Sequence, residues 1–277
     1  MRNIAGSYDR NGKLIQFNVD IPGSWNELDS ATFSHIIQVL HFRNADPYTI
    51  SVSLLALIFG SKNIHILDGL PDEDLHTLIP ITNFLLEEKP PVKNFFLEIN
   101  LKKKKHIAPA EDLSNLGFGE WCFVFEFYNY YHLTNDVQWL NKLIAALYRP
   151  VDPEQNEDSV NYSGDKREKF NENLIEKRAK SVAALEERIK LSILSWFSVA
   201  LASVAEARPH VFPKKQEGET NQESNAEQTE MRTWLTVFRE LLGPKWGNSD
   251  QLKETNAMFI LDELEDRQIE YEKIKKH

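Results

Sequence analysis

The side chains able to do chemistry fall into a few short stretches. His65 to His76 (HILDGLPDEDLH) brings two histidines and four acids together, residue types that ligate a divalent cation. The same acids suit the first turn of a helix opened by Pro71, where negative charge complements the helix dipole, and a solvated capping turn is the reading adopted. Gly117-Phe118-Gly119 is half of a dinucleotide-binding fingerprint and lacks its third glycine. Glu120 and Glu126 stand among aromatic residues, where burial would raise a carboxyl pKa toward general-acid use; carboxylates left in water are the simpler expectation. Lys102 to Lys105 offers either a basic contact or a solvated strand edge that discourages edge-to-edge pairing. Cys122, the single cysteine, sits among aromatics as a core thiol. The sequon Asn161-Tyr162-Ser163 has no consequence in a cytoplasmic chain. No Walker lysine, paired-histidine zinc helix or glycine-flanked nucleophilic serine occurs, and one cysteine excludes a zinc site built mainly from cysteines. The expectation is a chain with no catalytic, cofactor-binding or metal-ligating residue, and no cofactor.

The 277 residues are 42% hydrophobic and 27% charged, with 16 Phe and 6 Trp, enough apolar mass for a substantial core. Collagen-like, disulfide-stapled and wholly disordered chains are excluded by this composition. A net charge of −10 opposes a general nucleic-acid coat, and the lone cysteine fits a reducing compartment, so a soluble protein of the cytoplasm is expected. The start of the chain carries no apolar run of signal-peptide length. Two apolar stretches, Tyr48–Phe59 and Leu191–Ala205, are read as buried core helices rather than membrane spans.

Asn11-Gly12 predicts a hairpin turn, and Ile15, Phe17 and Val19 alternate with polar residues as in a strand with one buried face. Pro22-Gly23 ends that strand. Asp29 or Ser30 caps a helix through Phe33, Ile36, Ile37 and Leu40, and Pro47 opens another that Gly60 closes. Short strands are expected at Ile64–Leu67 and within Phe95–Leu101, and Pro80 is expected to split the helix begun at Pro71. The aromatic run between Leu113 and Tyr131 is ambiguous: Trp121, Val124, Phe125, Tyr128 and Tyr131 fit one helical face, while its β propensity is also high; helix is favoured because a second helical pattern follows from Val137 to Leu147. Lys166 to Arg208 contains neither Gly nor Pro and predicts one long helix or two nearly collinear ones.

Lys214 to Glu230 has no aromatic residue and no aliphatic larger than Ala226, so it cannot offset its ordering entropy and reads as a flexible linker. Beyond it come a short amphipathic helix (Trp234, Val237, Phe238, Leu241, Leu242) and a final helix of roughly Asp250 to Lys276. The expected organisation is therefore mainly α: an N-terminal β element over 1–22, a helical domain over 23–213, the linker over 214–230 and a C-terminal helical arm over 231–277. The arm either folds back onto its own domain or docks into a partner's groove through Trp234, Phe238 and Leu241. Trp25 and Trp121 are expected as core anchors.

Three stretches resemble proteins of tailed bacteriophages and prophages from Bacteroidota-type bacteria: Ile21-Pro-Gly-Ser-Trp25-Asn-Glu-Leu28, Gly119-Glu-Trp121 through to Leu143-Ile-Ala-Ala-Leu147-Tyr148-Arg149-Pro150, and the Trp234–Leu242 helix. The resemblance covers about half the chain and supplies no functional residues. It implies a morphogenesis role, as a tail-assembly chaperone or a virion connector component. The expected function is non-enzymatic assembly by protein–protein contacts with other phage or particle proteins, or with further copies of the chain, in the host cytoplasm or the virion. No membrane or nucleic-acid partner is expected. The competing expectations are a metal-dependent hydrolase or nuclease using the acids around Asp68 to His76, and a nucleic-acid adaptor using Lys102 to Lys105.

Overall fold

The computed structural model describes residues 1–10, 12–41, 46–155, 157–160, 162–213 and 233–275. The expected linker, 214–230, lies outside these residues, as do Asn11 of the hairpin turn and Asn161 of the sequon. In chain order the elements are β1 (Arg2–Arg10), β2 (Lys13–Ile21), α1 (Ser30–His41), α2 (Pro47–Leu67), α3 (Asp72–Leu78), α4 (Asn83–Glu87), β3 (Glu98–Leu101), β4 (Lys104–Ile107), α5 (Phe118–Thr134), α6 (Val137–Leu147), β5 (Arg149–Pro150), α7 (Ile175–Val182), α8 (Glu187–Glu206), α9 (Trp234–Leu241), α10 (Ser249–Glu254) and α11 (Ala257–Lys275). The protein is mainly α, with a two-stranded sheet β1-β2 and a three-stranded sheet β3-β4-β5. The chain forms two compact units: Met1–Phe96 with Glu186–Val199, and Leu97–Leu185 with Ala200–His277. This division falls elsewhere than the composition shifts at 22, 213 and 230 indicate.

In the first unit β1 and β2 pair antiparallel, Arg2 opposite Ile21 and Arg10 opposite Lys13. Gly12 supplies the positive φ of the turn (77°), and its N–H donates to the Asp9 carboxylate. Ile15, Phe17 and Val19 are half-buried between exposed neighbours, the alternation that the sequence predicts. Trp25 is buried; its indole N–H donates to the Phe84 and Glu88 carbonyls at 3.1 and 3.3 Å, and its ring meets Phe33 and Phe84 edge-on.

Asp29 accepts from the Thr32 N–H at the start of α1, and Asp46 from the Thr49 N–H at the start of α2. Gly60 (φ 73°, ψ 165°) kinks α2 rather than closing it, and the helix resumes as far as Leu67. The strand expected at Ile64–Leu67 is thus helical: burying Ile66 and Leu67 decides the conformation over their β propensity. Both α2 and α8 are long and apolar enough to cross a membrane by length and composition. Of their apolar windows 39% and 56% are buried, and the covered face of α2 within Tyr48–Phe59 is Ser51, Leu54, Leu55, Ile58 and Phe59.

Lys166–Arg208, expected as one long helix or two nearly collinear ones, carries two helices, α7 and α8, and the first begins only at Ile175. Residues 166–171 are irregular apart from a single bridge at Arg167, a 3-10 turn covers Glu172–Leu174, α7 is short, and α8 starts anew at Glu187. Tertiary pairing overrides helix propensity here: the Asp152 N–H donates to the Lys166 carbonyl, the Glu168 N–H to the Pro150 carbonyl, and Arg167 pairs as a β-bridge with Val151. The final helix expected from Asp250 is also divided, between α10 and α11, because the intervening Thr255 and Asn256 pair with a different segment.

Candidate docking site

Helix α5 is the element on which the site is built, and its first turn is fastened from two sides. The Phe118 N–H donates to the Thr255 carbonyl (2.7 Å), the Ala257 N–H donates to the Leu116 carbonyl (2.8 Å), and Gly117 and Asn256 form an antiparallel bridge. A Cβ on Gly117 would lie 2.7 Å from the Lys253 carbonyl oxygen, and one on Gly119 would lie 2.8 Å from Lys253 Cγ and 3.2 Å from its Cα. The glycine pair serves close packing against α10, which accounts for Gly117-Phe118-Gly119 without a nucleotide. The C-terminal arm therefore folds back on its own unit.

The aromatic part of the arm lands on α5. The Trp234 ring centroid is 5.6 Å from Phe212, 5.8 Å from Phe125, 6.0 Å from Trp121 and 6.1 Å from Phe118, the last three edge-on. Phe238 stacks on Phe118 at 5.9 Å. Thr233 caps α9 by accepting from the Thr236 N–H, and Glu126 accepts from the Trp234 N–H at 3.1 Å. Burial pushes the Glu126 carboxyl above its ordinary range, against the lowering effect of that hydrogen bond. Cys122 is fully buried beside the Trp234 carbonyl, and desolvation drives its thiol pKa far up, so it is a core thiol.

An open apolar groove of about 500 Å³ remains between these elements, lined by Phe125, Phe212, Trp234, Val237, Leu264 and Gln268. Its far wall is α11, to which the segment after α8 is strapped: Arg208 pairs with Asp262 at 2.7 Å, and Glu265 accepts from His210 Nδ1 (2.5 Å) and from the His210 and Val211 N–H groups. Burial works to raise the Glu265 carboxyl, but these bonds outweigh it and hold the group below the usual range. Of the three residues assigned to docking, Phe238 and Leu241 are buried within their own unit, whereas half-buried Trp234 still borders the groove. Phe212 was not legible as a lining residue, since its segment carries no periodic pattern. Phe125 and Val237 lay on the two amphipathic faces that the spacing had marked.

One position before Trp121, itself fully buried, α5 places Glu120 in an ionic core. Its oxygens meet Arg149 at 2.7 Å and Arg167 at 2.9 Å; Asp165 pairs with the same arginines at 3.1 and 2.8 Å. Arg167 also donates to the Leu147 carbonyl, and Arg149 to the Glu168 carbonyl. Glu120, Arg149 and Arg167 are at most 3% exposed, and the four charges cancel. Burial raises the Glu120 carboxyl while the two guanidiniums oppose the rise; burial lowers Arg149 to about 10, leaving it cationic at neutral pH. Both Glu120 oxygens are engaged by guanidiniums, so the group joins α5, β5 and the 165–167 segment rather than standing as a free acid or base.

The histidine-acid stretch is dispersed. His65 and Asp68 line a small cavity with Asp9 and Arg10, His76 packs its ring on Tyr48 at 4.9 Å, and Asp72, Glu73 and Asp74 form the exposed first turn of α3. Among the described residues, no group of three or more His, Cys, Asp or Glu is placed to hold a metal ion. Lys102 to Lys105 forms the tip and outgoing strand of the β3-β4 hairpin. No known family model, curated protein or solved structure matches the chain.

Proposed function

We propose that the protein is a non-enzymatic assembly or virion structural protein of the tailed-phage type, a tail-assembly chaperone or connector component, which receives an amphipathic helix of another particle protein in the α5–α9–α11 groove. The observation that carries this reading is the groove itself, a 500 Å³ apolar channel that the described residues leave unfilled, with three aromatic rings (Phe125, Phe212, Trp234) on its walls. Such a channel takes the apolar face of a helix through anchors at i, i+3 or i+4, and i+7. Helix α11, which forms one wall, carries six acids against three bases, so the complementary occupant has basic residues flanking its apolar stripe. The phage assignment rests on the sequence resemblance and the partner mode on the groove.

The test is complementation in a producing host with wild-type chain and with Val237→Glu, which puts a charge in the groove without touching the ionic core. Particle yield is read by electron microscopy and chain content by mass spectrometry of purified particles. Loss of particles with Val237→Glu, the variant keeping its circular dichroism spectrum and melting temperature, is the expected result. A fixed stoichiometry in wild-type particles identifies a connector; a chain required for assembly yet absent from particles identifies a chaperone. Normal particle formation without the chain overturns the reading.

A further inference from the structure

The β3-β4 hairpin has a two-residue loop, Lys102-Lys103, both residues left-handed (φ 48° and 65°). Loops of this kind select Asn-Gly or Gly-Gly, because a side chain at positive φ is disfavoured. Two adjacent lysines there are a local cost that nothing in the hairpin's own packing offsets, since both side chains are exposed. Beside them lies a cleft of about 360 Å³ in which Leu101, Pro150 and Leu174 give an apolar lining and Lys102, Lys104, His106, Lys177, Arg178 and Ser181 a polar one, with Glu168 as its carboxylate among the described residues. Glu168 pairs with Lys104 at 3.2 Å and Arg178 at 3.0 Å. Lys102 and Lys177 have no ion-pair partner among the described residues. Four permanent cations thus face one acid, on a chain whose net charge is −10.

We propose that this cleft binds a single phosphate group, as free phosphate or as a small phosphate ester. Lys102, Lys177 and Arg178 supply charge and N–H donors from two elements, and the Ser181 hydroxyl supplies a neutral donor. His106 Nδ1 is engaged with the Lys104 carbonyl, and burial lowers its pKa, so the imidazole is a neutral wall rather than a further cation. A long polyanion is disfavoured: the chain's overall negative field repels it, and among the described residues no Phe, Tyr or Trp lines the cleft to stack a base. The site is independent of the helix groove proposed above.

Isothermal titration at constant ionic strength with inorganic phosphate, ribose 5-phosphate and a 12-nucleotide single-stranded DNA tests this. Wild-type protein is expected to bind one or both phosphate compounds, the tighter one naming the source. Lys177→Glu and Lys102→Gly are each expected to weaken binding by about tenfold or more. Lys177 is exposed, and glycine suits the left-handed position, so Lys102→Gly is also expected to melt higher than wild type without phosphate. Failure of both phosphate compounds to bind overturns the proposal, as does unchanged affinity in the two variants. Binding of the oligonucleotide alone overturns it in favour of a nucleic-acid contact.

Discussion

Two fastenings meet in the first two turns of α5, and they work by opposite physics. At Glu120 the helix is held by an ionic core of two carboxylates and two guanidiniums, nearly closed to water. From Trp121 onward it is held by ring faces and edges that Trp234 and Phe238 bring from the arm. A buried ion network must be complete, because removing one member leaves an uncompensated charge in a low-dielectric site. Apolar stacking is graded and scales with the area lost. The first fixes which segments meet; the second sets how firmly the arm stays, and leaves part of its surface for another occupant.

The contrast predicts different responses to substitution. Arg167→Met is expected to cost about 3–5 kcal/mol by urea denaturation, since Glu120 and the Leu147 carbonyl both lose a donor. Replacing all four members together, Glu120, Arg149, Asp165 and Arg167 by Leu, Met, Asn and Met, is expected to recover much of that loss, since no charge is left without its partner. If the quadruple variant is as unstable as the single one, the all-or-none account of the core is wrong. On the aromatic side a graded series is expected: Phe238→Leu costing about 1 kcal/mol and Phe238→Ala about 3 kcal/mol, with hydrogen exchange in α9 accelerating in step. An abrupt loss of the arm already at Phe238→Leu would erase the distinction.

The smallest effect belongs to Glu126, at the margin of the aromatic cluster. Its folded pKa is raised, so its contribution is fully present below the unfolded pKa of about 4.3 and is lost as pH rises through the folded value. Glu126→Gln keeps an acceptor for the Trp234 N–H and removes the charge. The variant is expected to be more stable than wild type at pH 7, by less than about 1 kcal/mol after solvent screening, and equal to it near pH 4. Melting curves across that range check the sign.

Local patterns made much of the fold legible. The hairpin before Pro22, the cap at Asp29, the helix opened by Pro47 and the Trp234 helix all follow from spacing and turn chemistry within a dozen residues. The misreadings share one cause. Ile64–Leu67, the 166–174 segment and the division between α10 and α11 take their conformations from segments distant in sequence. The ionic core was hidden for the same reason: Glu120 stood out as a carboxyl among aromatics, but Arg149 and Arg167 lie 29 and 47 positions away in no periodic register with it. The docking groove was half legible, since Trp234 and the α5 face could be marked, whereas Phe212 and Leu264 join them only through tertiary packing.

The strap between Ser114–Phe118 and Thr255–Ala257 also bears on synthesis. Asn256 and the Ser114 carbonyl it binds are separated by 142 positions, which a ribosome covers in roughly 7–28 s. For most of that interval Phe212, Trp234 and Phe238, which pack on the Phe118 and Trp121 rings, have not been made. A nascent chain therefore presents a sticky aromatic surface for many seconds before it can bury it, and ribosomes stalled short of Trp234 are expected to carry insoluble or chaperone-bound products.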